Sequence, residues 1–293
     1  RIKYTITLNK SNGIDNVTGD GTYYYGKNVA INATVKKGYK WEKWSSNTNY
    51  LPGSTNQLYS FNMPANNVTL LATAEVIPYT ITYIPNGGIM PSTYVKVYTV
   101  EDEVKLPTIK KEGYVFIGWY DNKGFNGNVI EKIEKGTIGD KQFFAKFVPI
   151  TYIVEYHGNG NTSGLMEPSV HVYDQRKELN RSTYKKVNSS FVGWNTEADG
   201  SGIWYKDGQE VVNLTNQQGD IRLYAQYNSS NYVVNFDSNG GLPPSFTTIE
   251  QVFGEPLKKL PTTSFNGYEF DGWYSSKTGG TKISVDTVPT ENT

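Results

Sequence analysis

The chain has 293 residues, with 28 Lys plus Arg balanced by 28 Asp plus Glu, and no Cys. A net charge of zero leaves no basic field for nucleic acid or an acidic membrane surface, so nucleic acid is excluded as a partner. The lack of Cys removes thiol catalysis, thiolate metal sites and thioester chemistry together, and sets the chain apart from disulfide-stapled secreted modules.

Length alone suggests about two domains. The residues themselves, with 23 Tyr, 29 Gly and 6 Trp but 3 Met, suit half-buried strands joined by turns. No window approaches the roughly 18–20 apolar residues of a membrane span, so no membrane insertion is expected in this segment. The chain opens Arg1-Ile2-Lys3-Tyr4 without an apolar leader and reads as a processed or excised piece of something longer.

In chain order, the first element is a run with apolar residues at every second position. It recurs as Tyr4/Ile6/Leu8, Tyr79/Ile81/Tyr83, Tyr152/Val154/Tyr156 and Tyr232/Val234/Phe236, which predicts an opening strand with one buried face. Each run meets an Asn-Gly pair: Asn12-Gly13, Asn86-Gly87, Asn159-Gly160 and Asn239-Gly240. Asn-Gly accommodates the positive φ angles of a tight hairpin, so a returning strand is expected next, ending near Tyr25, Tyr98, Tyr173 and Phe253.

A Gly-Tyr-x-Phe-x-Gly-Trp segment follows, as Gly113–Trp119 and Gly267–Trp273; the first copy varies as Gly38–Trp44, and the third keeps Phe191–Trp194. Tyr268 and Phe270 share a face, but Trp273 falls one residue out of that alternation. Gly272 is therefore expected to make a bulge that returns the Trp to the core, although Lys43 stands at that place in the first copy. Trp44, Trp119, Trp194 and Trp273 recur at intervals of roughly 75–79 residues, which makes them core candidates of one repeated unit.

Closing strands are expected over Val68–Ala74, Phe143–Phe147 and Ile221–Tyr227. The fourth copy reaches Thr293 before such a strand, and reads as an incomplete module of a longer array unless another chain supplies the strand. Modules are thus expected at 1–77, 78–149, 150–229 and 230–293. Val76-Ile77-Pro78 and Val148-Pro149-Ile150 are short stiff joints, whereas Asn228-Ser229-Ser230-Asn231 has no Pro and is expected to be the loosest.

These motifs together resemble the Listeria–Bacteroides repeat, or internalin-type B repeat. Residues 79–148 are similar to a standard member, 152–228 to a longer variant carrying Gly193–Gly202, and 4–76 to the divergent form with Phe61–Thr69. The resemblance implies mainly β modules of about 70 residues with a β-grasp-like fold: a small mixed sheet with at most a short helix each. It also implies a secreted or wall-attached protein of a Gram-positive bacterium.

Apparent chemical motifs dissolve on inspection. Ser182-Thr183-Tyr184-Lys185, Ser229-Ser230-Asn231 and Lys277-Thr278-Gly279 match penicillin-recognising signatures in order but fall in separate repeats or a linker, so no catalytic residue is assigned. Leu260-Pro261-Thr262-Thr263 aligns with Leu106-Pro107-Thr108-Ile109 and reads as a feature of the repeat, not a sorting signal. Asn195-x-Glu197-x-Asp199-Gly200 starts like a calcium loop but has Lys206 where a bidentate Glu is needed, so it reads as a polar turn. His157 and His171, the only histidines, are expected to be exposed, and no metal or other cofactor is expected.

Trp204 and Tyr205 fall outside the repeated Trp set and are the best candidates for an exposed ligand contact. The expected function is a non-catalytic spacer or stalk of a bacterial surface or secreted protein, projecting an adhesive or recognition domain. The alternative is a binding module for a host surface protein, a glycan or a cell-wall polymer.

Overall fold

A computed structural model describes residues 1–288; residues 289–293, the end of the fourth expected module, lie outside the described part. Every regular element among the described residues is a strand, so the short helix implied by the family resemblance is not found there. The chain divides into two compact units, Arg1–Pro149 and Ile150–Thr293.

Within the first unit, the opening strand Lys3–Lys10 pairs antiparallel with the return strand Gly21–Tyr24 and parallel with the closing strand Val68–Val76. The closing strand then pairs antiparallel with the Trp-bearing strand Tyr39–Ser46. The same order of return, opening, closing and Trp-bearing strand recurs as Val97–Tyr98, Tyr79–Ile84, Lys141–Pro149 and Tyr114–Tyr120. In the second unit it recurs again as Ser169–Val172, Thr151–His157, Asp220–Ser229 and Ser189–Asn195, with Trp204–Tyr205 added at the edge.

Alternation dictates which residues turn inward. Ile6, Ile81, Tyr152, Val154, Tyr232 and Val234 of the opening strands are buried, while their neighbours Thr5, Thr80, Ile153 and Val233 are exposed. A second small ladder accompanies the sheet in the second and third modules. It is Val104–Lys105 with Lys132–Ile133 in one module and Lys177–Glu178 with Glu210–Val211 in the next. Val104, Ile133 and Val211 from these ladders share a core with Trp119 or Trp194.

The Asn-Gly turns depart from expectation. Asn86, Asn159 and Asn239 do adopt positive φ, at 49°, 48° and 50°. Yet the chain does not hairpin straight back. After Gly88 it crosses to a bridge at Ile89 with Lys110, and Ser163 likewise bridges Lys185, before the return strand forms. The Asn amide ties the turn to the closing strand instead. Asn86 Nδ2 donates to the Ala145 carbonyl at 2.7 Å, and Asn159 Nδ2 to the Ala225 carbonyl at 2.9 Å. Asn12 and Gly13 lack positive φ; Gly13 is needed because an added Cβ would sit 2.3 Å from the Tyr39 ring.

The bulge is present wherever the closing strand is paired, with register shifting between Trp41 and Lys43, Phe116 and Gly118, and Phe191 and Gly193. It re-aims Trp44, Trp119 and Trp194 into the cores, where they are 1%, 2% and 0% exposed. Lys43 shows that the bulge itself does not demand Gly. At Gly118 and Gly193 φ is 145° and 151°, which favours Gly, and a Cβ there would also lie 2.3 Å from Val129 and 2.8 Å from the Tyr205 carbonyl. Opposite each Trp stands a small residue: Ala72, Ala145 and Ala225.

His171 corrects the expectation of exposure. It is 1% exposed, stacked on Tyr152 at 5.6 Å, with Nε2 2.9 Å from the Ser169 hydroxyl. Its position in the return strand pairs it with Tyr152, so both rings face inward. His157 is half-buried, stacked on Tyr224 and 3.5 Å from Glu155. Burial, helped by nearby Lys177, lowers the His171 pKa below its ordinary 6.5.

Two outcomes follow from these cores. Trp119→Ala should cost the second module about 3–5 kcal/mol, the usual loss for a buried large aromatic; an unchanged denaturation midpoint would show that Trp119 does not hold the core. Because the folded His171 pKa is depressed, its contribution is fully present above the ordinary 6.5 and declines as pH falls through that value. Melting of the third module should therefore soften between about pH 7 and pH 5, and His171→Phe should flatten that slope.

Candidate functional site

The most built feature that joins modules lies inside the first unit. Only Ile77 and Pro78 separate the closing strand ending at Val76 from the opening strand beginning at Tyr79. The Ile77 amide donates to the Gly38 carbonyl at 2.9 Å. Gly38 has φ of 84°, and a Cβ there would lie 2.6 Å from Val100 Cβ, so only Gly admits the second module this closely.

Glu101 completes the joint. Its Oε1 accepts the Tyr39 hydroxyl at 2.6 Å and Asn12 Nδ2 at 3.0 Å, both from the first module. These hydrogen bonds, Tyr39 first and Asn12 next, hold the Glu101 carboxyl below its ordinary value, and the same bond raises the Tyr39 phenol. The turn that presents Glu101 is itself fixed, because Asp102 Oδ2 accepts the Thr99 amide and hydroxyl, each at 2.7 Å. Gly13 lets the Tyr39 ring pass, so the Asn12-Gly13 pair serves the joint from both residues.

In the second unit, Ser230 alone separates the strand ending at Ser229 from that beginning at Asn231. The Ser230 amide donates to the Asn188 carbonyl at 2.8 Å, matching the Ile77–Gly38 bond. The turn that would grip it carries Phe253-Gly254 in place of Val100-Glu101, so the position of Glu101 has no carboxylate; the next residue, Glu255, pairs with Lys258 instead, and space around Gly254 is open.

Trp204 and Tyr205 pair antiparallel with Asn195 and Trp194 at the sheet edge. Alternation separates them. Tyr205 packs against the third core, and burial raises its phenol pKa. Trp204 stays 52% exposed, with its ring 3.6 Å from where a Cβ on Gly200 would sit. Of the two, only Trp204 presents its ring to solvent.

Asn195 is the residue whose role the sequence did not reveal. It is fully buried; its Oδ1 accepts the Glu197 and Gly202 amides at 2.9 Å each, and its Nδ2 donates to the Gly200 and Gly202 carbonyls. Asp199 is likewise occupied by Ser201, which lowers its pKa. The calcium-like run is a turn organised by its own side chains. Among the described residues no group of three or more His, Cys, Asp or Glu is placed to hold a metal ion. No helix of the described part is long and apolar enough to cross a membrane. Ser182–Lys185 forms extended chain leading to the Ser163–Lys185 bridge, without the helix start that a penicillin-recognising Ser-Lys pair requires.

The family described as the Listeria-Bacteroides repeat domain matches residues 79–146, 152–226 and 232–293, and the Divergent InlB B-repeat domain matches residues 4–78. Two Evansella cellulosilytica proteins are similar, each 27% identical, one provisionally named a Gly-rich membrane protein and the other a membrane protein. The matches cover 87% and 73% of this chain but 28% and 31% of those proteins, so the chain spans less than a third of their length. Internalin H of Listeria monocytogenes is 35% identical over 97 residues, covering 33% of this chain and 16% of that protein. No solved structure matches.

The joint carries a directional expectation. Glu101→Gln or Tyr39→Phe should broaden the distance distribution between spin labels on the first and second modules, with melting left in place. In the unsubstituted chain the same broadening should appear as pH falls below the ordinary carboxylate value of 4.5 and Glu101 protonates. A narrow distribution in all three cases would show that the carboxylate does not secure the joint.

Proposed function

Because the chain belongs to the Listeria–Bacteroides repeat family, with a divergent internalin-type B repeat at its start, we propose that it is a non-catalytic spacer region of an extracellular bacterial surface protein. It holds an adhesive or recognition domain away from the cell surface or wall of a Gram-positive bacterium. The modules run 1–77, 78–149, 150–229 and 230–293. The observation that carries this reading is the joint: two residues of linker, a glycine contact and a carboxylate clamp join the first two modules. Flexible tethers would need none of these. Each small core sustains its module only modestly, and concatenation adds reach without a new fold. The relatives named as membrane proteins and as an internalin support a surface location.

A second reading rests on Trp204. It is the one Trp of the third module that is exposed, on an edge strand, and it gives that module a means to stack on a glycan or wall polymer or to touch a host protein.

The spacer reading is tested by displaying a binding domain on beads beneath a polymer brush, through this chain or through a Gly/Ser segment of equal residue number. Capture of particle-borne ligand should be better with this chain, whereas equal capture would remove the reading. Glycan arrays and pull-downs test the second reading: saturable binding lost on Trp204→Ala supports it, and no binder at high micromolar concentration opposes it.

A further inference from the structure

In an Asn-Gly pair the side-chain amide lies open to attack by the next main-chain nitrogen, because Gly has no Cβ to hinder the approach. Asn12, Asn86, Asn126 and Asn159 all precede Gly, but different partners restrain them. The amides of Asn86 and Asn159 are tied to Ala145 and Ala225 in the closing strands of their own modules, so freeing them means opening a sheet. Asn12 is exposed, and its Nδ2 is held at 3.0 Å by Glu101 of the neighbouring module. Opening the joint releases it while the first module stays folded. The Gly13 carbonyl accepts the Lys36 amide at 2.9 Å, but the Gly13 N–H enters no backbone hydrogen bond among the described residues.

We propose that Asn12 is a deamidation site: when the joint opens, it converts to aspartate or isoaspartate, and the product keeps the joint from closing again. The Gly13 nitrogen attacks Asn12 Cγ. The N–Cγ bond forms, the Cγ–Nδ2 bond breaks, and ammonia leaves with the proton that Gly13 gives up. Water then opens the succinimide ring. Attack at the side-chain carbonyl gives aspartate, and attack at the main-chain carbonyl gives isoaspartate. Overall, an amide and a water become a carboxylic acid and ammonia, with no oxidant or cofactor.

Either product damages the contact it came from. Aspartate removes the donor that Glu101 Oε1 accepts and sets a second carboxylate against it. Asp102 already adds negative charge beside Glu101, with Lys135 opposing it. Isoaspartate also lengthens the main chain by a CH2 next to Gly13. That residue is buried, and the Tyr39 ring leaves so little room that even a Cβ would lie 2.3 Å from it. Closing the joint therefore protects Asn12, and each conversion during an opening is kept. The step rests on the geometry of the joint and not on the spacer or the binding reading.

The test ages the whole 293-residue chain in warm, mildly alkaline buffer and follows Asn12 and Asn126 by peptide mapping, with spin labels on the first and second modules. Asn126 is the internal standard, since its turn is organised by Asn122 of its own module. Tyr39→Phe removes one of the two hydrogen bonds on Glu101 and keeps the ring over Gly13. In that chain conversion at Asn12 should run about tenfold faster, the worth of a hydrogen bond to a charged group, while Asn126 keeps its rate. Asn12→Asp should broaden the distance distribution without ageing and leave the melting of both modules in place. The unsubstituted chain should broaden in step with conversion. Equal Asn12 rates in the two chains, no conversion at Asn12 in either, or a narrow distribution in the Asn12→Asp chain would each overturn the proposal.

Discussion

Each completed module depends on a strand that comes last in the chain and sits inside the sheet. The closing strand touches the opening strand on one side and the Trp-bearing strand on the other, and its Ala lies under the indole. A larger residue would lift the ring out of the core. The Trp in turn reaches a further segment: the indole N–H of Trp119 donates to the Pro107 carbonyl at 2.6 Å, and that of Trp273 to Pro261 at 2.7 Å. With the Asn amide bound to the Ala carbonyl, turn, closing strand, Trp and Leu-Pro segment form one knot. Small cores of this kind are held by few large aromatic contacts, so each contact matters.

Much of this was legible because alternation and turn chemistry leave plain marks. The opening strands, the repeated Trp and the bulge could be read from spacing, since period two and a one-residue slip are sequence properties. The parallel pairing of opening with closing strand could not, because it joins residues about 60 positions apart whose pattern allows either direction. The Leu-Pro pairs Leu106-Pro107 and Leu260-Pro261 were visible as a repeated feature, but their purpose is a backbone carbonyl, which side-chain identity does not announce. In the third module Asn180 follows Leu179 instead of Pro, and the Trp194 indole N–H is buried without such an acceptor.

The candidate sites divide the same way. Trp204 stood out because it broke the repeat, and its exposure follows from lying on the outer face of an edge strand. Its neighbour Tyr205 could not be separated from it until the pairing with Trp194 fixed which ring turned inward. Glu101 gave no signal at all. It is an exposed acid in a turn of like residues, and only the passage of Tyr39 over Gly13 gives it two donors. His171 misled because two histidines in a hairpin look like surface residues, whereas a cross-strand Tyr152 draws one of them inside.

The parallel contact of first and last strands has a mechanical meaning. Tension carried along the chain enters a module through its opening strand and leaves through its closing strand. These two are direct neighbours running the same way, so the load falls along the ladder between them. All its hydrogen bonds are then sheared together, instead of being peeled one at a time as at the end of a hairpin. A segment that bears drag between an anchor and its cargo would yield last at such a ladder.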